Sequence, residues 1–475
     1  MSGHSARKGH IINNFKQWSL ICSRYFNFIP SINYLSAHNK NRPQLAKGTL
    51  TKESISRVFS KALADKSLIG PYDTAMLFYD MEFLESKILG LQELFPPSTL
   101  HAVAMKANPL SKILLKINTL GAGIEVASLP ELYLAEKAGF APASIVFDSP
   151  CKTKEEITYA LCAGVCLNAD SFEELSRIDG ILKTIKSSSL IGLRINPQVG
   201  SGKIESTSVA DTISKFGIPI HNNREKIRAA YLEYAWLIGI HVHIGSQGCE
   251  VPLIVEGVRK VLDLANEVNG LLKQEQGQTQ ISVFDIGGGL PVSYHPDVNA
   301  VSMEQYKTML KNSCKELFDG QYKLITEFGR YYHANAGWVA SKVEYVKREP
   351  DCNIIMTHIG ADLFLRKCYN PGDWHHEITL VDRHGKLKFG ANTHKYMVAG
   401  PLCFAGDIIA RDLELPEAEE GDFLLVHDAG AYTLGMWSRY NSRQIPIVIG
   451  YYSGKPTFEI LKERESPEDI LHFWA

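Results

Sequence analysis

Residues 123–148 read GIEVASLPELYLAEKAGFAPASIVFD. Gly123–Ser128 is a short apolar run around one acid, as a buried strand is. Ser128-Leu129-Pro130-Glu131 then supplies a capping hydroxyl, a first-turn proline and a glutamate three residues on, which together start a helix. Gly139 stands where that helix must stop, because the closing residue is left-handed and glycine adopts that conformation without strain. Ser144–Asp148 is strand again. Strand, helix and strand in so short a span form a parallel βα unit.

The unit recurs on both sides. Thr153-Lys154-Glu155-Glu156 and Ser171-Phe172-Glu173-Glu174 repeat the helix start. The strand candidates are Ala75–Tyr79, His101–Lys106, Gly123–Ser128, Ser144–Asp148, Val165–Asn168, Ile191–Asn196, Ile238–Ile244, Val283–Gly287 and Lys323–Glu327. Eight βα units over ~250 residues make a (βα)8 barrel of TIM type. With nine candidates, one lies outside the ring. A doubly wound open sheet is the alternative use of the same rhythm. Beyond about Ala336 the long helices stop, and Gly337–Tyr345, Lys395–Val398, Phe423–Val426 and Pro446–Tyr451 follow one another as strands. The expected α/β organisation is a basic extension over 1–50, a barrel over 73–335 and a C-terminal β-sandwich or β-barrel over 336–475. Part of 51–72 is expected to join the last of these.

Composition bounds the function. The 475 residues are 45% hydrophobic and 21% charged with a net charge of -2, which excludes fibrous and wholly disordered classes. That balance exerts no pull toward nucleic acid or membrane surfaces. No apolar run approaches the ~20 residues of a spanning helix. The nine cysteines are odd in number and unpaired in spacing, so a disulfide framework is not expected and a reducing, cytoplasmic setting is. Met1 to Lys52 contains no acid and several lysines and arginines. It reads either as a mitochondrial or plastid transit segment or as a basic extension.

Barrel chemistry sits at the C-terminal ends of strands. Those ends carry Lys106, Glu125, Arg194, His243, Gly287-Gly288-Gly289, Glu327 and Arg330. An amine for a Schiff base, a carboxylate for a ring nitrogen and a glycine loop for phosphate are the needs of a phosphate-bearing pyridine cofactor. His241 and His243 share a strand face at metal-ligand spacing, but no third ligand is evident and no metal is expected. Leu290-Pro291 after the glycines rules out a dinucleotide fingerprint.

Ala104-Met105-Lys106-Ala107-Asn108 resembles the cofactor-lysine motif of the pyridoxal-phosphate decarboxylases that act on diaminopimelate, ornithine and arginine. Five more segments resemble that family's motifs, in its order. They are His241 to Gln247, Asp285 to Gly289, Glu327-Phe328-Gly329-Arg330, Gly400-Pro401-Leu402-Cys403 and Asp428-Ala429-Gly430-Ala431-Tyr432. Together they cover about Ala75 to Tyr451, and Ser214 to Ile218 leans toward the diaminopimelate branch. The resemblance implies a cofactor-bearing barrel followed by a β domain, with pyridoxal 5'-phosphate tethered to Lys106. It implies Glu327 at the ring nitrogen and His243 stacked on the ring. Glu125 and Arg194 would tune the site. Ser246, the three glycines, Gly329, Arg330 and Tyr432 would lie at the phosphate, with Arg330 and Tyr432 also near the amino-acid substrate. Cys403 would protonate the product carbon from a partner subunit, which implies a homodimer.

The chain departs from this pattern where the substrate's far end is read. Phe404 stands where the family shows an acid, and Leu365 where the diaminopimelate branch shows an arginine. Arg366 follows one place late, and Tyr369 keeps its place. A buried ammonium facing an apolar residue is left unpaired, which costs about 3–5 kcal/mol. The expected reaction is therefore decarboxylation of an L-amino acid, or of an amino-acid conjugate, whose distal end is not an ammonium held by an acid. The alternatives are a true diaminopimelate decarboxylase of lysine biosynthesis, an amino-acid racemase on the same barrel, and a non-catalytic relative that binds a regulatory partner.

Overall fold

The computed structural model describes residues 51–475 apart from Pro296, Ala391, Lys455 and Pro456. The basic extension, and the question of a transit segment, lie outside the described residues.

In chain order the first strands are β1 (Ala75–Asp80), β2 (Leu100–Ala104), β3 (Gly123–Val126), β4 (Ile145–Asp148), β5 (Cys166–Ala169), β6 (Ile191–Asn196), β7 (Ile218–Pro219), β8 (Leu237–His241), β9 (Val283–Asp285) and β10 (Lys323–Thr326). All but β1 and β7 run parallel in one ring, closed by β10 against β2 and by β5 against β6. Closure excludes the open-sheet alternative. Every residue of β3, β4, β5 and β6 is buried, because helices cover the outside and side chains fill the inside.

The helix starts form as their sequences require, with one variation. Thr153 and Glu156 make a reciprocal capping box. Ser128 accepts from the amide of Glu131, but the Glu131 carboxylate takes the Ala127 amide at 2.7 Å, one residue before the cap. Gly139 is left-handed, with φ of 83°.

The ninth strand candidate, Ala75–Tyr79, is the one outside the ring. The later strands are β11 (Gly337–Lys342), β12 (Tyr345–Glu349), β13 (Cys352–Met356), β14 (Ile378–Val381), β15 (His394–Ala399), β16 (Ile408–Leu415), β17 (Phe423–Val426), β18 (Ile447–Tyr451) and β19 (Phe458–Lys462). One sheet runs β14-β17-β11-β1-β18-β19 and another runs β12-β13-β15-β16. Gly337–Tyr345, read as one strand, is two: the chain leaves β11 after Lys342 and joins the other sheet at Tyr345. β12 is almost wholly exposed, so its sequence lacks the alternation of a half-buried strand.

Helix Lys52–Ala64 packs on the first of these sheets. Phe59 meets Phe78, Trp338 and Phe423 edge-on at 5.9, 6.2 and 4.9 Å. These rings centre a core separate from the barrel's. From Lys52 on, the chain runs first in the β layer, crosses through helix Met81–Leu94 into the barrel, and returns at β11. Among the described residues no helix is long and apolar enough to cross a membrane.

Candidate active site

The C-terminal ends of the ring strands open on a cavity of about 370 Å³. Lys106, Arg194, His243, Ser246, Gly289, Glu327, Gly329, Arg330, Arg366 and Tyr432 all line it. Residues from seven separate segments of the chain therefore meet in one place.

Lys106 lies in a tight turn, Met105–Ala107, just past β2. Its Nζ donates to Glu125 Oε1 at 2.7 Å, and its side chain is 43% exposed into the opening while Glu125 is fully buried. Burial opposes charge on this amine, but Glu125, then Glu327, Tyr432 and Asp148, outweigh it and hold the ammonium above its usual range.

The floor of the cavity is ionic. Arg194, on β6, pairs with Asp148 of β4 at 2.9 Å, with Asp170 at 3.9 Å, and lies 4.6 Å from the Phe216 ring. The strand-end salt bridge and the cavity lining are thus the same residue. His241, fully buried at the end of β8, stands with Nδ1 3.8 Å from Asp148 and Nε2 3.4 Å from Glu327. His243 faces away from that pair and accepts from the Gly288 amide at 3.0 Å. Burial, with Arg194 and Lys106 nearby, pushes its imidazole down to about 3, so the ring is neutral. His241 ends β8 and His243 lies two residues past it, and the two do not share a centre. The third group missing from their spacing is on other strands: donor atoms of Asp148, His241 and Glu327 lie within 4.8 Å of one another.

Within the glycine run the Gly287 amide donates to Asp285 and the Gly288 amide to His243, and Gly289 is the member that lines the cavity. A Cβ at position 288 would run into the Glu327 carbonyl, and one at 289 into the Gly245 carbonyl. Glycine is required here for close backbone approach. The Glu327 amide reaches the Gly287 carbonyl at 2.7 Å through the space this leaves.

Arg330 opens a short turn of helix, and its Nε and Nη2 donate to Ser246 Oγ at 3.3 and 3.2 Å. Nη1 donates to the Tyr294 hydroxyl at 2.5 Å. Tyr432, left-handed with φ of 58°, sits between two guanidinium groups, Arg330 at 4.6 Å and Arg366 at 4.8 Å from its ring.

Other expected site residues stand elsewhere. Leu365 lines a side recess with Arg366, Trp374 and Tyr432. Tyr369, largely exposed, borders a surface cleft with Glu205 and Ser206. Cys403 carries an exposed free thiol and does not line its own chain's cavity. Its loop is held firmly: Asp407 accepts from the Ala361 and Leu402 amides, each at 2.6 Å, and Cys403 N donates to Asn441 at 2.8 Å. Phe404 stacks on Tyr369, rings 5.6 Å apart and 27° from parallel, and meets Tyr440 edge-on at 6.2 Å.

Asp148, Asp285 and His241 beneath the cavity, and Tyr294 and Trp374 in the side recess, were not singled out for this chemistry in the sequence. Asp148 ends a predicted strand and Asp285 lies near the end of another, so the rule that picked Glu125 and Glu327 reaches them too. Tyr294 and Trp374 come from loops and carry no local signal.

The arrangement fits the phosphate-bearing pyridine cofactor expected from the sequence. It offers an amine at the mouth, and a glycine wall that admits no side chain. It also offers a buried carboxylate oxygen, Glu327 Oε1, with no hydrogen-bond partner among the described residues.

Comparison with known proteins agrees. Residues 82–334 match the family described as pyridoxal-dependent decarboxylase, pyridoxal binding domain. A diaminopimelate decarboxylase of Aquifex aeolicus is 30% identical over 417 residues, 87% of this chain and 94% of the relative. One of Methanocaldococcus jannaschii is 31% identical over 376 residues, 78% of this chain and 82% of the relative. The crystal structure of the Helicobacter pylori diaminopimelate decarboxylase complexed with L-lysine superposes with a TM-score of 0.74 at 28% identity, covering 85% of this chain and 97% of that one.

Proposed function

From the premise that this chain belongs to the pyridoxal-dependent decarboxylase family, and so is a pyridoxal-phosphate-dependent carboxy-lyase of an amino acid, we propose a substrate whose distal end is not an ammonium held by an acid. The observation that carries this reading is the Phe404 ring stacked on Tyr369, where an acid would otherwise hold that ammonium. The substrate is an L-amino acid with an apolar or aromatic side chain, or a conjugate whose tail leaves the pocket.

When bound, the cofactor supplies an electron sink for the pair left on the α-carbon as carbon dioxide departs. Lys106 Nζ is the tether, and Glu125, 2.7 Å away, holds its proton when the substrate amine displaces it. His243 offers the flat face of a neutral ring. Glu327 turns its unpartnered Oε1 to the ring nitrogen and keeps a proton there. The Gly289 amide, the Ser246 hydroxyl, Arg330 and Tyr432 hold the phosphate. Gly287, Gly288 and Gly329 keep the backbone close enough for this, and Arg194 stiffens the floor.

Cys403 returns a proton to the α-carbon in a second copy of the chain. Its exposed thiol, on a rigid loop outside its own cavity, supports delivery across an isologous dimer with two composite sites.

Diaminopimelate is the second reading. It is favoured by the relatives that carry that name and by Arg366, whose buried Nη1 has no partner among the described residues and suits a second carboxylate. Carbon dioxide release from diaminopimelate, lysine, ornithine, leucine and phenylalanine separates the two. The first reading expects the last two to be preferred. Clear preference for diaminopimelate would establish the second reading in its place.

A further inference from the structure

Four acids crowd the floor beneath the cavity: Glu125 on β3, Asp148 on β4, Asp285 on β9 and Glu327 after β10. All four are at most 5% exposed. Carboxylates this close and this dry do not all stay ionised without cations among them. Three cations face them. Lys106 is bound to Glu125, and Arg194 to Asp148. The third is His241, which stands between Asp148 and Glu327 and is itself fully buried. Among the described residues His241 is the only ion-pair partner of Glu327. Glu327 is thereby divided: Oε2 faces the imidazole, and Oε1 is left free.

We infer that His241 is a positioning residue, an imidazolium clamped between Asp148 and Glu327 that keeps Glu327 ionised and aimed at the cofactor's ring nitrogen. The inference rests on the reading of Glu327 given above. Arg194, Asp148, His241 and Glu327 then form one string of alternating charge across the barrel, from β6 through β4 and β8 to the end of β10. Its polarity matters. A neutral residue at 241 leaves Glu327 beside Asp148 and Asp285 with no cation in contact. Burial and repulsion then favour its protonated form, which cannot keep a proton on the ring nitrogen. His243, two residues on, cannot substitute, because its Nδ1 accepts from the Gly288 amide and its surroundings hold it neutral. In the intact site burial opposes charge on His241, but Asp148, Glu327 and Asp285 outweigh it and hold the imidazolium up to about 9.

Two measurements test this on the holoenzyme. Imidazole ¹⁵N shifts, assigned by their loss in His241→Gln, should show both ring nitrogens of His241 protonated at pH 7.5. A neutral tautomer there, or a bound transition metal found by elemental analysis at one per chain, would overturn the inference. The second measurement is the ¹⁵N shift of ring-labelled cofactor. It should sit at the pyridinium position in the unaltered protein and move toward the unprotonated value in both His241→Gln and Glu327→Gln. A shift that moves in Glu327→Gln but not in His241→Gln overturns this inference alone. One that moves in neither overturns the role given to Glu327 as well.

Discussion

Lys106 makes few packing contacts that its loss would forfeit: its chain crosses open space to reach one carboxylate. Lys106→Ala is therefore expected to leave the fold intact while abolishing both carbon dioxide release and the chromophore that borohydride reduces. A retained reducible chromophore would mean that another amine is the tether. Under the proposed function Phe404 makes the opposite case, a residue whose side chain selects rather than reacts. Phe404→Glu restores a charge for a distal ammonium. It is expected to raise kcat/KM for lysine or diaminopimelate relative to leucine by about tenfold or more, a modest ~1.4 kcal/mol of the pairing energy. An unchanged ratio would remove Phe404 from the selectivity argument. Both residues were legible in the sequence because each sits inside a motif. Asp148 and His241 were not, since their meaning lies in facing each other across the barrel at 3.8 Å.

At the scale of elements, helix Lys52–Ala64 precedes every strand of the described residues, yet its Phe59 fills the space between β1, β11 and β17, in the layer that part of 51–72 was expected to join. Phe59→Ala removes a wholly buried ring from that second core. It should cost about 3–5 kcal/mol, read as a lower midpoint in urea unfolding. A change below 1 kcal/mol (~0.7 of a tenfold step) would show that the helix is not integral to the sheet. The βα units were readable because cap, period and closing glycine all lie within one unit. The later strands were readable only in part. β1 resembles any barrel strand in composition, and only its partners, β11 and β18, place it elsewhere.

For the whole molecule, the proposed composite site makes a demanding expectation. Lys106→Ala and Cys403→Ala should each be inactive alone, the second by about 10²- to 10⁴-fold for loss of a positioned proton donor. Unfolded together and refolded as mixed dimers, they should regain activity, because one of the two sites then has both an intact lysine and an intact thiol. No recovery in mixed dimers would return the thiol to its own chain or remove it from the reaction.

Buried imidazoles also tie the stability of the apoprotein to pH. Burial pushes His101 and His376 down to about 4, and His243 and His333 down to about 3, from an ordinary 6.5. Their folded-state values are depressed, so at these groups the unfolded chain binds more protons and their share of the stability rises with pH. That share is complete above pH 6.5 and is lost as pH falls toward 4. Carboxyls raised by burial act in the opposite sense, Asp80, Asp362 and Asp428 up to about 6 and Glu125 up to about 8, and so does His241, raised to about 9. The share of one ring is therefore read as a difference. The gap in urea midpoint between the unaltered protein and His333→Gln should narrow from pH 7 to pH 5; a constant gap would contradict the buried, neutral state of that ring.

The sequence alone determined the repeating βα unit and the order of the motifs, because each is written within a few residues by propensity, capping and spacing. Only the tertiary structure decided which of nine strand candidates stays out of the ring and which of three glycines lines the cavity. It alone also revealed that an imidazole bridges two carboxylates from distant strands. Those are matters of which groups become neighbours once the ring has closed, and no local stretch of chain carries that information.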